Sequence, residues 1–264
     1  MSKLISSDGT PIAYTRAGQG PAVILVDGAL SHRAQSINTD LATALAGHFT
    51  VYTYDRRGRG ESGDTAPYAP EREVEDLAAL VAEAGGTARL YGTSSGAALA
   101  LAAVESGVPV EKLALYEPPF IVDDTRPAIP DDYVRRIGEL VAADRRADAV
   151  RYFMRTGVGL PGVVVAMMRF MPAWSKLKAV AHTLPYDVAF VAPYEHGTPY
   201  PASNWASVKA PTLVMDGGKS PAWIRNAARS LAALLPNAEH RTLEGQTHIV
   251  KPAALAPVLE GFFR

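Results

Sequence analysis

The sequence predicts an α/β protein: a mostly parallel sheet flanked by helices and interrupted once by a helical insertion. Three observations lead there. Short apolar, β-branched runs alternate with helical stretches at both ends of the chain. The alternation lapses between residues 118 and 207 and then resumes. The composition is that of a packed chain, with 48% hydrophobic residues in 264. Strand–helix–strand repetition implies crossovers that cover both faces of a parallel sheet, and such crossovers are right-handed. A chain of this length buries enough surface to need no covalent or metal staple.

The elements follow in order. Ile12–Tyr14 and Ala22–Val26 read as strands, the second a continuous apolar run suited to burial on both faces. Leu41, Ala42 and Leu45 share one face of a short helix between Ser36 and Gly47. Phe49–Tyr54 is a strand by its β-branched and aromatic content. Val74, Leu77, Ala78 and Val81 are helically spaced within Glu71–Glu83, and Gly85-Gly86 stops that helix. Ala88–Tyr91 is a strand, Ser95–Glu105 a helix of small residues, and Leu113–Tyr116 the next strand. Helical pieces then run at Tyr133–Ala142, Ala147–Arg155, Val163–Phe170 and Leu177–Thr183, separated by Pro and Gly. Thr212–Met215 and Glu239–Leu243 restore the strand rhythm, with helices at Trp223–Leu235 and Ala254–Phe263. The expected organisation is a core of residues 1–117 and 208–264 carrying a helical lid, 118–207.

Charge and cysteine content exclude several classes. Lys and Arg number 26 against 27 Asp and Glu, a formal net charge of −1. That balance gives no general attraction to nucleic acid or an anionic membrane, so neither is expected as a partner. With no cysteine there is no disulfide framework, thiolate zinc site or catalytic thiol. No metal and no cofactor are expected. The stretch from Met1 to Gly9 has no apolar run or cleavage pattern, and Gly157–Met171 is broken by Pro161 and Arg169. These features point to a cytoplasmic protein without a membrane span.

The chemistry concentrates in Leu90-Tyr91-Gly92-Thr93-Ser94-Ser95-Gly96-Ala97, a Gly-x-Ser-x-Gly between a short strand and a helix. A nucleophile at such a turn has a strained backbone that thrusts its side chain outward, and flanking glycines relieve the crowding. The helix that starts there aims free N–H groups at developing negative charge. The glycine spacing selects Ser94, while Ser95 offers its backbone N–H. A serine hydroxyl needs a base. Of the six histidines, His248 stands on a loop after the last strand and can reach the turn. His240 falls inside a strand and reads as structural; His32, near the first loop, is a possible lining residue; His48, His182 and His196 have no motif support.

With these residues in place, the chain resembles the α/β-hydrolase superfamily over nearly its whole length: Ala22–Leu30, the turn Tyr54-Asp55-Arg56-Arg57-Gly58-Arg59-Gly60-Glu61-Ser62, the Ser94 elbow, the insertion and the His248 loop. The resemblance implies an α/β-hydrolase fold, with Asp55 and Arg57 as scaffold. It also implies an oxyanion hole from the N–H groups of Ser95 and Ala29. The family commonly has His-Gly where this chain has Asp27-Gly28, a departure that leaves the backbone donors intact. The orienting acid is ambiguous. The usual family position, beyond Thr212–Met215, falls on Lys219 or Ser220, neither of them a carboxylate. Another placement known in the superfamily, directly after the preceding strand, holds Glu117 before Pro118-Pro119. Glu117 is the first choice, Asp216 the alternative, and absence of a functional acid a third reading.

The expected activity is that of a serine hydrolase forming an acyl-enzyme from a small apolar ester or lactone. Phe153, Met154, Met167, Met168, Phe170, Met171 and Trp174 would form either the pocket wall or the lid's own core. The paired arginines 135–136 and 145–146 read as solvated helix faces. Alternatives are a non-hydrolytic cyclase or ligand-binding protein on the same fold, motivated by Asp27 and Ser220, and carbon–carbon or thioester hydrolysis. Cofactor-free dioxygenase or haloperoxidase chemistry uses the same serine and histidine.

Overall fold

The computed structural model describes residues 2–36, 38–201 and 203–264. The strands are β1 (Ser2–Ile5), β2 (Pro11–Ala17), β3 (Ala22–Val26), β4 (Thr50–Tyr54), β5 (Ala88–Thr93), β6 (Val110–Tyr116), β7 (Thr212–Gly217) and β8 (Ala238–Leu243). They join one sheet in the order β1-β2-β4-β3-β5-β6-β7-β8. β2 pairs antiparallel with both β1 and β4, and every later pairing is parallel. The sequence reading anticipated each of these strands but β1, a short and largely exposed edge that has no buried apolar face to announce it.

Helices α1 (Asn38–Leu45) and α10 (Pro252–Phe263) cover one sheet face, where Leu41, Leu45, Leu255 and Phe263 pack on Val23, Leu25 and Met215. Helices α2 (Pro70–Glu83), α3 (Ser95–Glu105) and α9 (Ala222–Leu234) cover the other, around Ile24, Leu90 and Leu115. The central strands are therefore buried on both sides, which is why they read as continuous apolar runs rather than alternating ones. No helix among the described residues is long and apolar enough to cross a membrane.

Between β6 and β7 lie α4 (Tyr133–Ala142), α5 (Arg146–Tyr152), α6 (Gly162–Met168), α7 (Trp174–Ala179) and α8 (Leu184–Val191). They enclose a core of their own that includes Ile137, Leu140, Val150, Trp174, Leu184 and Val188. The sequence reading ended its fourth inserted helix at Thr183 and missed α8. Leu184, Val188 and Val191 stand at helical spacing, and Pro185 falls in the first turn, where a missing N–H costs nothing.

Candidate active site

Ser94 sits between β5 and α3 with φ 55° and ψ −129°. A non-glycine residue in that region persists only where its surroundings over-determine it. Here the Ser94 N–H donates to Tyr116 O at 2.9 Å, and Ser94 O accepts from Ala97 N–H at 2.9 Å. The flanking glycines are a steric necessity. A Cβ at Gly92 would stand 2.4 Å from Gly96 O, and one at Gly96 would stand 2.4 Å from Val26 O. Ser95 is the first residue of α3, so its N–H has no intrahelical acceptor.

Glu117 follows β6 directly, with φ 47° and no solvent exposure. Its Oε2 accepts from His248 Nδ1 at 2.7 Å, and its Oε1 accepts from Gly217 N–H at 2.7 Å. Both carboxylate oxygens are thus engaged, and the imidazole is held with Nδ1 protonated and Nε2 left as the acceptor. The loop bearing His248 is tied to the ends of two neighbouring strands. Tyr116 Oη donates to Thr247 O at 2.6 Å, and Lys219 N–H donates to Gln246 O at 2.8 Å. Asp216, the alternative acid, is fully buried and accepts from His240 Nε2 at 2.6 Å. Glu117, not Asp216, touches His248. His32 lies outside the cavity beside Ser94 and accepts from Gln35 Nε2 at 2.7 Å.

Asp27 is buried, and its Oδ1 accepts from the Ser36 hydroxyl and from Asn38 Nδ2, the latter at 2.7 Å. Burial pushes its carboxyl up to about 6, against the pull of Ser36. The acidic group that stands in place of the family's histidine is therefore committed to the start of α1.

The arginines after β4 carry more than the scaffold role expected of Asp55 and Arg57. Asp55 does brace the turn, accepting from Arg33 N–H at 2.8 Å and Glu61 N–H at 3.0 Å, and Arg57 pairs with Asp76. Arg59 Nη1 donates to Gly28 O at 2.8 Å. Because a trans peptide places C=O and N–H on opposite sides, this bond fixes the direction of the Ala29 N–H. Arg59 Nη2 in turn donates to Asp187 Oδ2 at 2.6 Å. Asp187 Oδ1 accepts from Ser95 Oγ at 2.7 Å and from Arg56 Nη1 at 2.6 Å. Arg56 also grips both oxygens of Glu73, at 2.6 and 2.9 Å. Burial alone would raise the Asp187 carboxyl, but Arg59 and Arg56 hold it below the usual carboxylate range. One carboxylate on α8 thus touches Ser95 and, through Arg59, the Gly28–Ala29 peptide. Sequence reasoning passed over this cluster because it treated the arginine run as a turn and did not see α8.

Ser94, Ser95, Ala29 and His248 line one cavity of about 900 Å³. Its apolar wall comes from Tyr133, Phe153, Val158, Leu160, Val188 and Trp223. Of the seven apolar residues considered for a pocket wall, Phe153 lines it. Met154, Met168 and Trp174 pack in the inserted helices' own core, and Met167, Phe170 and Met171 are exposed.

Residues 23–258 match the model of the alpha/beta hydrolase family. The chain belongs to that family. An alpha/beta hydrolase from Sphaerobacter thermophilus is 56% identical over the full length of both chains, with a TM-score of 0.92. Two more distant structures share the fold at 22% identity. They are an enol-lactonase from Burkholderia xenovorans, TM-score 0.70 with 99% of each chain covered, and a thermophilic esterase from Thermogutta terrifontis, TM-score 0.69 with 100% of this chain and 97% of that one covered. The sequence-based fold class stands as read: a mostly parallel α/β-hydrolase sheet flanked by helices.

Proposed function

We propose that this alpha/beta hydrolase is a serine hydrolase of carboxylic esters or lactones that works through an acyl-enzyme, with Ser94 as nucleophile, His248 as base and Glu117 as orienting acid. The observation that carries the reading is the 2.7 Å contact between Glu117 Oε2 and His248 Nδ1, in a cavity that also exposes Ser94 on its strained turn. With Nδ1 held by Glu117, His248 Nε2 takes the Ser94 proton as Oγ attacks the substrate carbonyl. Glu117 then stabilises the imidazolium without itself becoming protonated. The N–H groups of Ser95 and Ala29 receive the oxyanion, each contributing roughly 2.7–4 kcal/mol to transition-state stabilisation. His248 returns the proton to the leaving alkoxide; in a lactone that alkoxide stays tethered to the acyl group. Water, deprotonated by the same histidine, then releases the acid.

Residues 118–207 act as the cap that shields this chemistry, and the substrate is a small molecule with a largely apolar body. The esterase and lactonase among the fold's relatives are consistent with that class. The commitment of Asp27 to Ser36 and Asn38 weakens one of the two motives for a non-hydrolytic reading. A cytoplasmic setting, without nucleic acid as partner, agrees with the near-neutral charge. The test is hydrolysis of a short-chain p-nitrophenyl ester together with labelling by a fluorophosphonate. The wild-type protein is expected to turn over the ester and to be labelled at Ser94, and Ser94→Ala to lose both, with kcat falling by about 10⁴-fold or more. Wild-type protein that neither turns over ester nor takes the label would overturn the reading.

A further inference from the structure

The inserted helices carry an outward face that the proposed acyl transfer does not use. Of the nine exposed large hydrophobic side chains among the described residues, six fall between residues 158 and 171. Single exposed apolar residues are ordinary, but a concentration of them marks a contact surface. α6 accounts for it. Val165 is its buried residue, while Val163, Val164 and Met167 stand exposed at positions i, i+1 and i+4. The chain keeps turning past α6, as Phe170 N–H donates to Met167 O and Met171 N–H to Met168 O, both at 3.0 Å. Phe170 and Met171 therefore extend the stripe by one turn. Phe170 is 75% exposed, Val163 69% and Met167 63%.

The charges beside this stripe are of one sign. Residues 149–186 contain no Asp or Glu, but they hold Arg151, Arg155, Arg169, Lys176 and Lys178. Two of these cations bracket the stripe. A Cβ added at Gly162 would meet Arg155 Nη1 at 3.5 Å, which puts that guanidinium beside the first turn of α6. The Arg169 guanidinium carbon sits 4.5 Å from the centre of the Phe170 ring. Both arginines also line a groove of about 450 Å³ between α4, α5 and α6, with Arg136, Arg145, Arg151 and a single carboxylate, Asp148. Asp148 is taken up by Arg145 at 2.8 Å and Arg151 at 2.6 Å, and Arg136 faces Glu139 at 3.5 Å. The next acid along the chain, Asp187, is buried with Arg56 and Arg59. Arg155 and Arg169 are exposed and have no carboxylate partner among the described residues. An apolar stripe bracketed by free arginines matches a bilayer surface that carries phosphate and net negative charge. The apolar side chains enter the boundary of the acyl region, and the guanidinium forks meet the phosphates. A second copy docking about a two-fold axis would instead press the basic face against itself.

We propose that the α6 stripe, with Arg155 and Arg169, docks the protein reversibly on an anionic lipid surface. The contact is peripheral. It revises the expectation that a membrane is no partner, which came from the whole-chain charge of −1. That balance averages over a stretch with five cations and no acid. The proposal does not depend on the hydrolase reading, but it bears on the same cavity. Arg155, Val158 and Pro161 line the space beside Ser94, so the docking face adjoins it.

The test is cosedimentation of the full chain with two kinds of vesicle, phosphatidylcholine alone and phosphatidylcholine with about one-third phosphatidylserine. We expect the partition coefficient to be about tenfold or more higher on the anionic vesicles, and to fall as salt rises from about 0.1 M to about 1 M. Two double variants separate the two parts of the face. Met167→Ser with Phe170→Ser, and Arg155→Gln with Arg169→Gln, should each lower the partition onto anionic vesicles by about tenfold. All four side chains are exposed, so both variants should fold, which circular dichroism checks. Ile5→Ser, at an exposed apolar residue on β1, should leave the binding unchanged. Equal partition onto both kinds of vesicle, or anionic binding that either double variant leaves unchanged, overturns the proposal. Protein that ignores both vesicles but forms a dimer in sedimentation velocity, dissociated by Met167→Ser with Phe170→Ser, overturns it as well and assigns the face to a second copy.

Discussion

At Glu117 the chain leaves β6 with a positive φ, an arrangement that costs of order 1–3 kcal/mol for a non-glycine residue. The Gly217 N–H and His248 Nδ1 hold the carboxylate that this conformation delivers. Asp216, one strand over, has its Oδ2 on His240. The two acids therefore differ in consequence. Glu117→Gln should leave the fold intact but favour the wrong imidazole tautomer, lowering kcat by about 10³–10⁴-fold on any ester that is turned over. Asp216→Asn should change kcat by less than about tenfold, its effect falling on the local His240 contact. Steady-state kinetics on the two variants, with circular dichroism to check folding, separates them, and the reverse order would move the acid to Asp216. The choice between these residues was legible in the sequence only as a preference. Chain order and strand ends place both near His248, but which carboxylate turns toward the histidine loop depends on backbone conformation at residue 117, and no spacing rule encodes that.

At the scale of elements, α8 and the turn after β4 behave as one unit because Asp187 joins them. The network of Arg56, Arg59, Glu73 and Asp187 is buried throughout. Removing one member of such a set leaves charge stranded, which costs about 3–5 kcal/mol. Asp187→Asn should lower the denaturation midpoint in guanidinium chloride. It should also lower kcat by about ten- to a hundredfold with little change in KM, because Ser95 and the Gly28–Ala29 peptide lose a shared anchor that matters most in the transition state. A loss of stability with kcat unchanged would limit Asp187 to a structural role. The sequence carried the Ser94 turn in full, since Gly92 and Gly96 are required by close backbone approach and leave a readable pattern. It carried α8 poorly. A helix that starts at Leu184-Pro185 follows another helical turn directly, with no glycine to mark the boundary; Thr183 stands at its N-cap, but its hydroxyl is turned back to Val180 O.

For the whole molecule, two carboxyls raised by burial tilt the response to pH. The carboxyl of Asp27 is raised from 3.8 to about 6, and that of Glu195 from 4.5 to about 8, both chiefly by burial. Each binds its proton more tightly in the folded chain than in the unfolded one. Each contribution is thus fully present below the unfolded pKa and is lost as pH rises through the folded value. Between about pH 4.5 and 8 the two groups together erode stability as the solution becomes more alkaline. Glu195→Gln should remove the upper part of this slope. Its Tm should gain on the wild type steadily from pH 5 to pH 8.5, and a constant difference across that range would contradict the assignment. Composition gave no hint of this behaviour, because 27 acidic residues look alike until packing decides which of them lose water.

The ionic junction at Asp187 also bears on traffic. An insertion pinned to the core by charges that cannot be left bare would make a poor trapdoor, since swinging α8 outward would strip Arg59 of its carboxylate and leave Arg56 with Glu73 alone. Part of the cavity's lining is exposed to solvent, at Val158, Gly159 and Pro161 from the insertion and at Lys219, Pro221 and Ile249 from the core. Molecules would then come and go through a side window while the roof stays shut, and the width of that window, rather than any hinge, would ration which shapes reach the serine.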